Sequence, residues 1–157
     1  MPRRRLASRI LLISPSKRLL LFKIHYRTGT LAGMSYWAAP GGTLKKDESF
    51  EAAAIRELHE ETGIEVQSVG QCIARKEFLW QMPDGEQVLA VERFYVVRAL
   101  DEHCSALGWS DKEREVVCEM RWWSDDELAV CRENVYPPDL LSLLVQTLSR
   151  SLLLGSR

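Results

Sequence analysis

A chain of 157 residues fits one domain, and that length buries about two thirds of the unfolded surface without disulfide or metal staples. Its 46% hydrophobic and 27% charged residues argue against a disordered tail, a collagen-like fibre or a coiled-coil rod. A formal net charge of −1, from 21 basic and 22 acidic residues, argues against a general electrostatic grip on a nucleic acid polymer.

Arg5 to Ser14 and Arg18 to Ile24 are rich in Ile and Leu, and Pro15-Ser16-Lys17 separates them. The pattern predicts two strands joined by a tight turn. His25 to Tyr36 has no clear period and reads as a loop. Glu48 to Thr62 carries Ala52, Ala53, Ala54 and Leu58 among several Glu, and predicts a helix closed by Gly63. Ile64–Trp80 and Gln87–Leu100 flank the turn Pro83-Asp84-Gly85-Glu86 and predict a hairpin. Asp101 to Glu115 reads as a polar loop and Val116 to Trp123 as a strand. Ser124 is placed to cap a short helix over Asp125–Leu128. Pro137-Pro138 precedes a last helix from Asp139 to about Leu154. No repeat or linker interrupts residues 1–157, which read as a single domain.

The cysteines, Cys72, Cys104, Cys118 and Cys131, form no C-x-x-C pair. They read as reduced thiols in a cytoplasmic protein. The longest apolar runs, Ile10–Ile13 and Leu19–Phe22, fall far short of the roughly 18 residues of a membrane span, so no membrane partner is expected. The basic start, Met1 to Arg5, leads into no long apolar region and reads as a solvated arm.

The chemistry concentrates in one helix. Glu57, Glu60 and Glu61 stand at i, i+3 and i+4 and share about 100° of one helix face. Surface Glu triplets are common, and the repulsion, roughly 0.2–0.5 kcal/mol per pair, is tolerable in water. Here, however, Phe50, Ala53 and Ala54 project from the same sector, so that face turns toward protein. Carboxylates withdrawn from water need cations or donors to stay ionised. The triplet also belongs to a longer pattern: Gly42, five residues, Glu48, seven residues, then Arg56-Glu57-Leu58-His59-Glu60-Glu61-Thr62-Gly63-Ile64.

These 23 residues resemble the signature of the Nudix hydrolase family, G-x5-E-x7-R-E-U-x-E-E-x-G-U, with U aliphatic and every fixed position filled. Trp37-Ala38-Ala39-Pro40-Gly41-Gly42 resembles the usual approach to that motif. The resemblance implies an α/β fold, an α/β/α sandwich around a mixed β-sheet. It implies a MutT-like pyrophosphohydrolase that uses Mg²⁺ or Mn²⁺ to cut a phosphoanhydride bond of a nucleoside diphosphate linked to another group. A (deoxy)nucleoside triphosphate or related nucleotide is the favoured substrate. By position, Glu57, Glu60 and Glu61 match metal ligands, with Glu60 and Glu61 also catalytic, and the Gly41 carbonyl matches a backbone ligand. Glu48 and Arg56 match a loop brace; Gly42 and Gly63 complete the structural frame. Asp47 stands where a glycine often precedes the motif's Glu. The general base is left among Glu92, Glu113, Glu115 and Glu119, with Glu115 favoured because it lies just before a strand.

Outside the motif, Tyr36 and Trp37 could stack on a base, and Tyr36 reads equally as packing. Arg75 and Lys76 could meet phosphate or ribose, although solvated charge is the simpler reading. His59 lies about 200° from Glu57 on the helical wheel and reads as structural. Trp122-Trp123 reads as core plus rim. The leucines of the last helix read as core, and an exposed stripe of them would support a homodimer. An inert nucleotide-binding module on the same fold is the alternative function; such modules lose motif residues, and this chain keeps them all. An isopentenyl diphosphate isomerase would need a catalytic cysteine, and none of the four stands in a matching motif.

Overall fold

The structure is a computed structural model that describes the backbone of residues 1–155 and the side chains of 1–150. The last two residues of the expected domain and the side chains of the leucines at 152–154 lie outside that description.

Near-continuous burial from Ala7 to Ile13 marks β1 (Arg3–Ile13) as the central strand. Ile10 and Leu12 point to one face, Leu11 and Ile13 to the other, and all four are fully buried, as expected of a strand covered on both sides. On the first face they meet Ala54 and Leu58 of α1 (Phe50–Thr62). On the second they meet Leu140 and Leu144 of α4 (Leu140–Gly155), with Leu128 of α3 (Asp125–Ala129) beside them. Helices on both faces of one sheet give the expected α/β/α sandwich.

The sheet is mixed and has eight strands. β5 (Ala74–Gln81), β6 (Gln87–Arg98), β1, β2 (Leu19–His25), β3 (Ser35–Ala38) and β8 (Val135–Tyr136) run in that order. β1 pairs parallel with β6 from Arg3↔Val88 to Ile13↔Arg98, and β3 pairs parallel with β8. β1 and β2 meet in register only at Ile13↔Leu19. Beyond that point β1 takes β4 (Gly41–Thr43) as its neighbour, and β2 takes β7 (Val117–Trp123). The sheet therefore forks, and a cleft opens inside the fork.

Several elements differ from the sequence reading. The helix read from Glu48 starts at Phe50, because the Ser49 side chain accepts the Ala52 N–H and caps it. Ser35 and Tyr36, read as loop, belong to β3, and β8 is a two-residue strand with no periodic signal. Ile64–Ile73 is not strand; β5 begins only at Ala74. The polar loop read over Asp101–Glu115 contains α2 (Asp111–Val116), closed by a reciprocal capping box between Ser110 and Glu113. In α4, Leu140, Leu143 and Leu144 are buried in the chain's own core. Among residues 140–150 no leucine is exposed, so the stripe that would support a dimer is absent from the described side chains. Among the described residues no helix is long and apolar enough to cross a membrane.

Leu58 packs at full burial between α1 and the sheet. Leu58→Ala is expected to cost about 2–5 kcal/mol of unfolding free energy, measured by urea denaturation.

Candidate active site

The site is built where β4 passes the C-terminal half of α1. The Ser8 hydroxyl donates to the Phe50 carbonyl at 2.6 Å and ties the start of α1 to β1. Gly63, at φ +80°, ends the helix with its N–H bonded to the His59 carbonyl. Ala53 and Ala54 seat α1 on the sheet, and Glu57 and Glu61 follow one and two turns later beside β4. Two glycines make this approach possible. Gly41 has φ +148°, and a Cβ there would fall 2.0 Å from the Ser8 carbonyl oxygen. A Cβ on Gly42 would fall 2.5 Å from Glu57 Oε1.

Arg56 organises the acidic loop. Its Nε donates to Glu48 Oε2 at 2.8 Å, and Nη2 donates to Glu48 Oε1 at 2.9 Å and to the Thr43 carbonyl at 3.0 Å. Nη1 donates to Glu57 Oε1 at 2.8 Å and to Glu60 Oε2 at 3.3 Å. The expected brace between Glu48 and Arg56 is thus present as a two-pronged ion pair. The Arg56 hydrogen bonds hold the Glu48 carboxyl down at about 2. Asp47 takes φ +63°, the left-handed region that glycine enters freely and Asp tolerates better than most residues.

Glu61 is the most buried of the acidic triplet, 6% exposed. It accepts the Gly41 N–H at 3.3 Å and has no ion pair with a basic side chain among the described residues. Burial first, and then the neighbouring Glu57 and Glu113 charges, push its pKa well above the ordinary carboxylate value; Arg9 opposes this. Glu60 differs: its side chain is 37% exposed and turns to Arg56. Among the described residues no three His, Cys, Asp or Glu side chains stand ready-clustered to hold a metal. The donor chemistry nevertheless fits a hard divalent cation. Glu57 and buried Glu61 offer carboxylate oxygens in one cavity, and Glu61 itself has no bonded cation among the described residues.

That cavity continues into a second one. Arg5, Arg9, Tyr36 and Lys112 border both. The far end has about 770 Å³ of space, counting what opens to solvent, within the range of ligand pockets. Aromatic edges wall it. Tyr36 and Trp80 lie 5.6 Å apart between ring centroids, and Tyr136 lies 5.1 Å from each. Phe78 and Tyr26 extend the cluster, and the Tyr26 and Tyr36 hydroxyls bond at 3.1 Å. On the floor Arg9 Nε donates to Glu92 Oε2 at 3.1 Å.

Three expectations are corrected. Trp37 is 1% exposed and packs against Trp123 in the core, with its Nε1 donating to Glu133. Neighbouring strand residues face opposite sides, so Tyr36 enters the cleft and Trp37 leaves it. Arg75 likewise faces away from the cleft, because Lys76, Phe78 and Trp80 alternate with it and pair across to Glu92, Ala90 and Val88. Lys76 itself pairs with Asp139. Glu115 is exposed on α2 and borders neither cavity. About 200° of helix separates it from Glu113, which lines the wall with Glu57 and Glu61. Glu92 is held by Arg9, and exposed Glu119 faces Lys23 across the sheet. His59 is at the surface beside Glu65.

Sequence reading missed Arg5, Arg9, Trp80 and Tyr136. The two arginines had a usable signal, since Arg5, Ala7, Arg9 and Leu11 share one face of β1. Tyr136 had none, for its strand is two residues long.

The family model described as NUDIX domain matches residues 3–141. "Phosphatase NudJ" of Escherichia coli K12 is 34% identical over 99 residues, 63% of this chain and 58% of the relative, and the same figures hold for Shigella flexneri. The match thus spans less than two thirds of those relatives' length. Among solved structures, a MutT protein from Methanosarcina mazei superposes with a TM-score of 0.69 at 19% identity, over 93% of this chain and 96% of that one. The NUDIX domain of Shewanella oneidensis NrtR, complexed with ADP ribose, gives 0.63 at 19% identity, over 96% and 90%.

The Glu48–Arg56 pair has a pH signature. The folded pKa of Glu48, about 2, lies below the ordinary 4.5. Its stabilisation is therefore complete above the unfolded value and is lost as pH falls through the folded one. Glu48→Gln is expected to cost about 1.5–3 kcal/mol near neutrality. The gap between variant and unaltered protein should narrow as denaturation is repeated from about pH 5 down toward pH 2.

Proposed function

The chain belongs to the Nudix family, and on that premise we propose that it is a metal-dependent pyrophosphohydrolase. It cleaves a phosphoanhydride bond of a nucleoside diphosphate linked to another group, with a (deoxy)nucleoside triphosphate or related nucleotide as substrate. The observation that carries this reading is the continuity of one cleft. An acidic end at Glu57 and Glu61 runs past arginines into an aromatic end at Tyr36, Trp80 and Tyr136. A diphosphate and a planar base need those two environments side by side.

Glu57 and Glu61 would hold Mg²⁺ or Mn²⁺, with Glu60 at the rim and the Gly41 carbonyl as a backbone donor. When bound, the cation supplies charge neutralisation for the diphosphate and lowers the pKa of the attacking water. The chain's own residues do the rest. Tyr36, Trp80 and Tyr136 receive the base by stacking or edge contact. Gly41 and Gly42 let β4 lie against β1 and Glu57, where any side chain would collide, and so keep the Gly41 carbonyl beside the carboxylates. Glu113 takes over from Glu115 as the general base, its carboxylate accepting the water proton. The water oxygen bonds to phosphorus, the bridging P–O bond breaks, and the leaving phosphate carries the electron pair away. Free thiols at all four cysteines suit a reducing, cytoplasmic setting.

The test is a phosphate-release screen with Mg²⁺ or Mn²⁺ over canonical and oxidised nucleoside triphosphates, nucleotide sugars, ADP ribose and dinucleoside polyphosphates. Turnover that stops with EDTA is expected. Glu61→Gln should lower kcat by at least about a hundredfold, on the scale of losing a charge-stabilising catalytic group, while thermal unfolding stays cooperative. Nucleotide binding without turnover across the panel would replace the hydrolase with the inert binding module.

A further inference from the structure

Among the described residues two basic side chains that border both halves of the cleft have no ion pair: Lys112, which is exposed to water, and Arg5, which is partly withdrawn from it. Arg56 meets Glu48, Glu57 and Glu60, and Arg9 meets Glu92. Arg5 stands on the same face of β1 as Arg9, in the row where Phe78 and Ala90 lie across the sheet. It is partly buried and borders both halves of the cleft. Its guanidinium has no ion pair or side-chain hydrogen bond among the described residues, although Arg3 and Arg4, just before it, are paired with Glu86 and Glu77. Burial first, and then the charge of Arg9, pull its pKa below the ordinary arginine value.

A guanidinium carries five N–H donors. Withdrawing it from water beside another cation, with no acceptor supplied, costs stability. Such a cost is tolerated where a ligand repays it, and the groups around this one say which ligand. Rings stand on one side and metal-type carboxylates on the other. A diphosphate tethered to a base in the aromatic end passes between them, and its oxygens match the guanidinium fork.

We propose that Arg5 is a substrate-binding residue whose guanidinium donates to the diphosphate oxygens of a bound nucleotide at the junction of the aromatic and acidic halves of the cleft. This assignment rests on reading the cleft as a nucleotide site. It has a consequence that a structural role would not have: removal of Arg5 weakens binding and does not weaken the fold.

The test compares the unaltered protein with Arg5→Met, Arg5→Lys and a control, Arg4→Met, whose side chain leaves the opposite face of β1. The probe is a non-hydrolysable α,β-methylene nucleoside triphosphate, titrated by calorimetry with Mg²⁺, alongside thermal unfolding without ligand. Arg5→Met should weaken binding at least tenfold while its Tm holds or rises by about 2–4 °C, the shift expected for relief of a small destabilisation in a chain of this size. Arg5→Lys should recover part of the affinity, since it keeps the charge and loses the fork. Arg4→Met should leave affinity unchanged. Equal affinity in Arg5→Met, a Tm that falls together with affinity, or no analogue binding by the unaltered protein would each overturn the assignment. Turnover in the phosphate-release screen is read separately and decides only whether the site hydrolyses what it holds.

Discussion

One guanidinium holds the acidic end of this molecule together. Arg56 lies at the centre of Glu48, Glu57, Glu60 and the Thr43 carbonyl. Three of those partners are carboxylates that would repel one another if brought together bare. With Arg56 between them they become the fastening of a loop to a helix. The loop's shape then sets the path of β4, and the path of β4 sets where Gly41 and Gly42 lie against Glu57 and Glu61. The order of causes runs from ion pair to loop to backbone path. A Lys at this position would carry the charge but could not bond four partners in different directions, because its donors radiate from one nitrogen.

The second constraint is the fork in the sheet. β1 and β2 could have paired along their whole length, as adjacent antiparallel strands usually do. They separate after Ile13↔Leu19 because β4 and β7 take their edges. A continuous sheet would have presented the β1 arginines to a packed helix layer. The fork presents them to a cleft, and the same parting lets Tyr36 of β3 face Trp80 of β5 across it. The site is therefore assembled from strands far apart in sequence, while most of its acidic wall comes from one helix, α1, with Glu113 of α2 beside it.

That division explains what was legible in the sequence. The helix and its loop are local: capping, the i, i+3, i+4 spacing and the glycines all fall within 23 residues, so Glu48, Arg56, Glu57 and Glu61 could be read with their neighbours. The aromatic end is non-local. Tyr36, Trp80 and Tyr136 come from three strands, and no spacing links them. Tyr36 and Trp37 show the limit sharply. They are adjacent and chemically alike, yet one is cleft and the other core. Only the strand register decides which, and β3 is four residues long with too few alternations to reveal it. The misplacement of Glu115 was avoidable. Ser110 and Glu113 spell a capping box, and a helix starting there turns Glu113, not Glu115, toward the carboxylates.

Taken as charge, the cleft draws two groups of opposite sign, Glu61 and Arg5, away from water without a bonded counterion among the described residues. Glu61 is buried with like charges around it and no bonded cation; Arg5 is partly buried with no bonded anion. They line one cavity but form no ion pair with each other. A divalent cation would satisfy the first and a phosphate oxygen the second. Because a diphosphate is also a ligand for the cation, one ternary arrangement would meet the two needs together, and either component alone would meet only half. On this argument cation and nucleotide should each favour the other's binding, with equal coupling in both directions by linkage. That coupling follows from the placement of two charges, and it does not depend on any bond being cut.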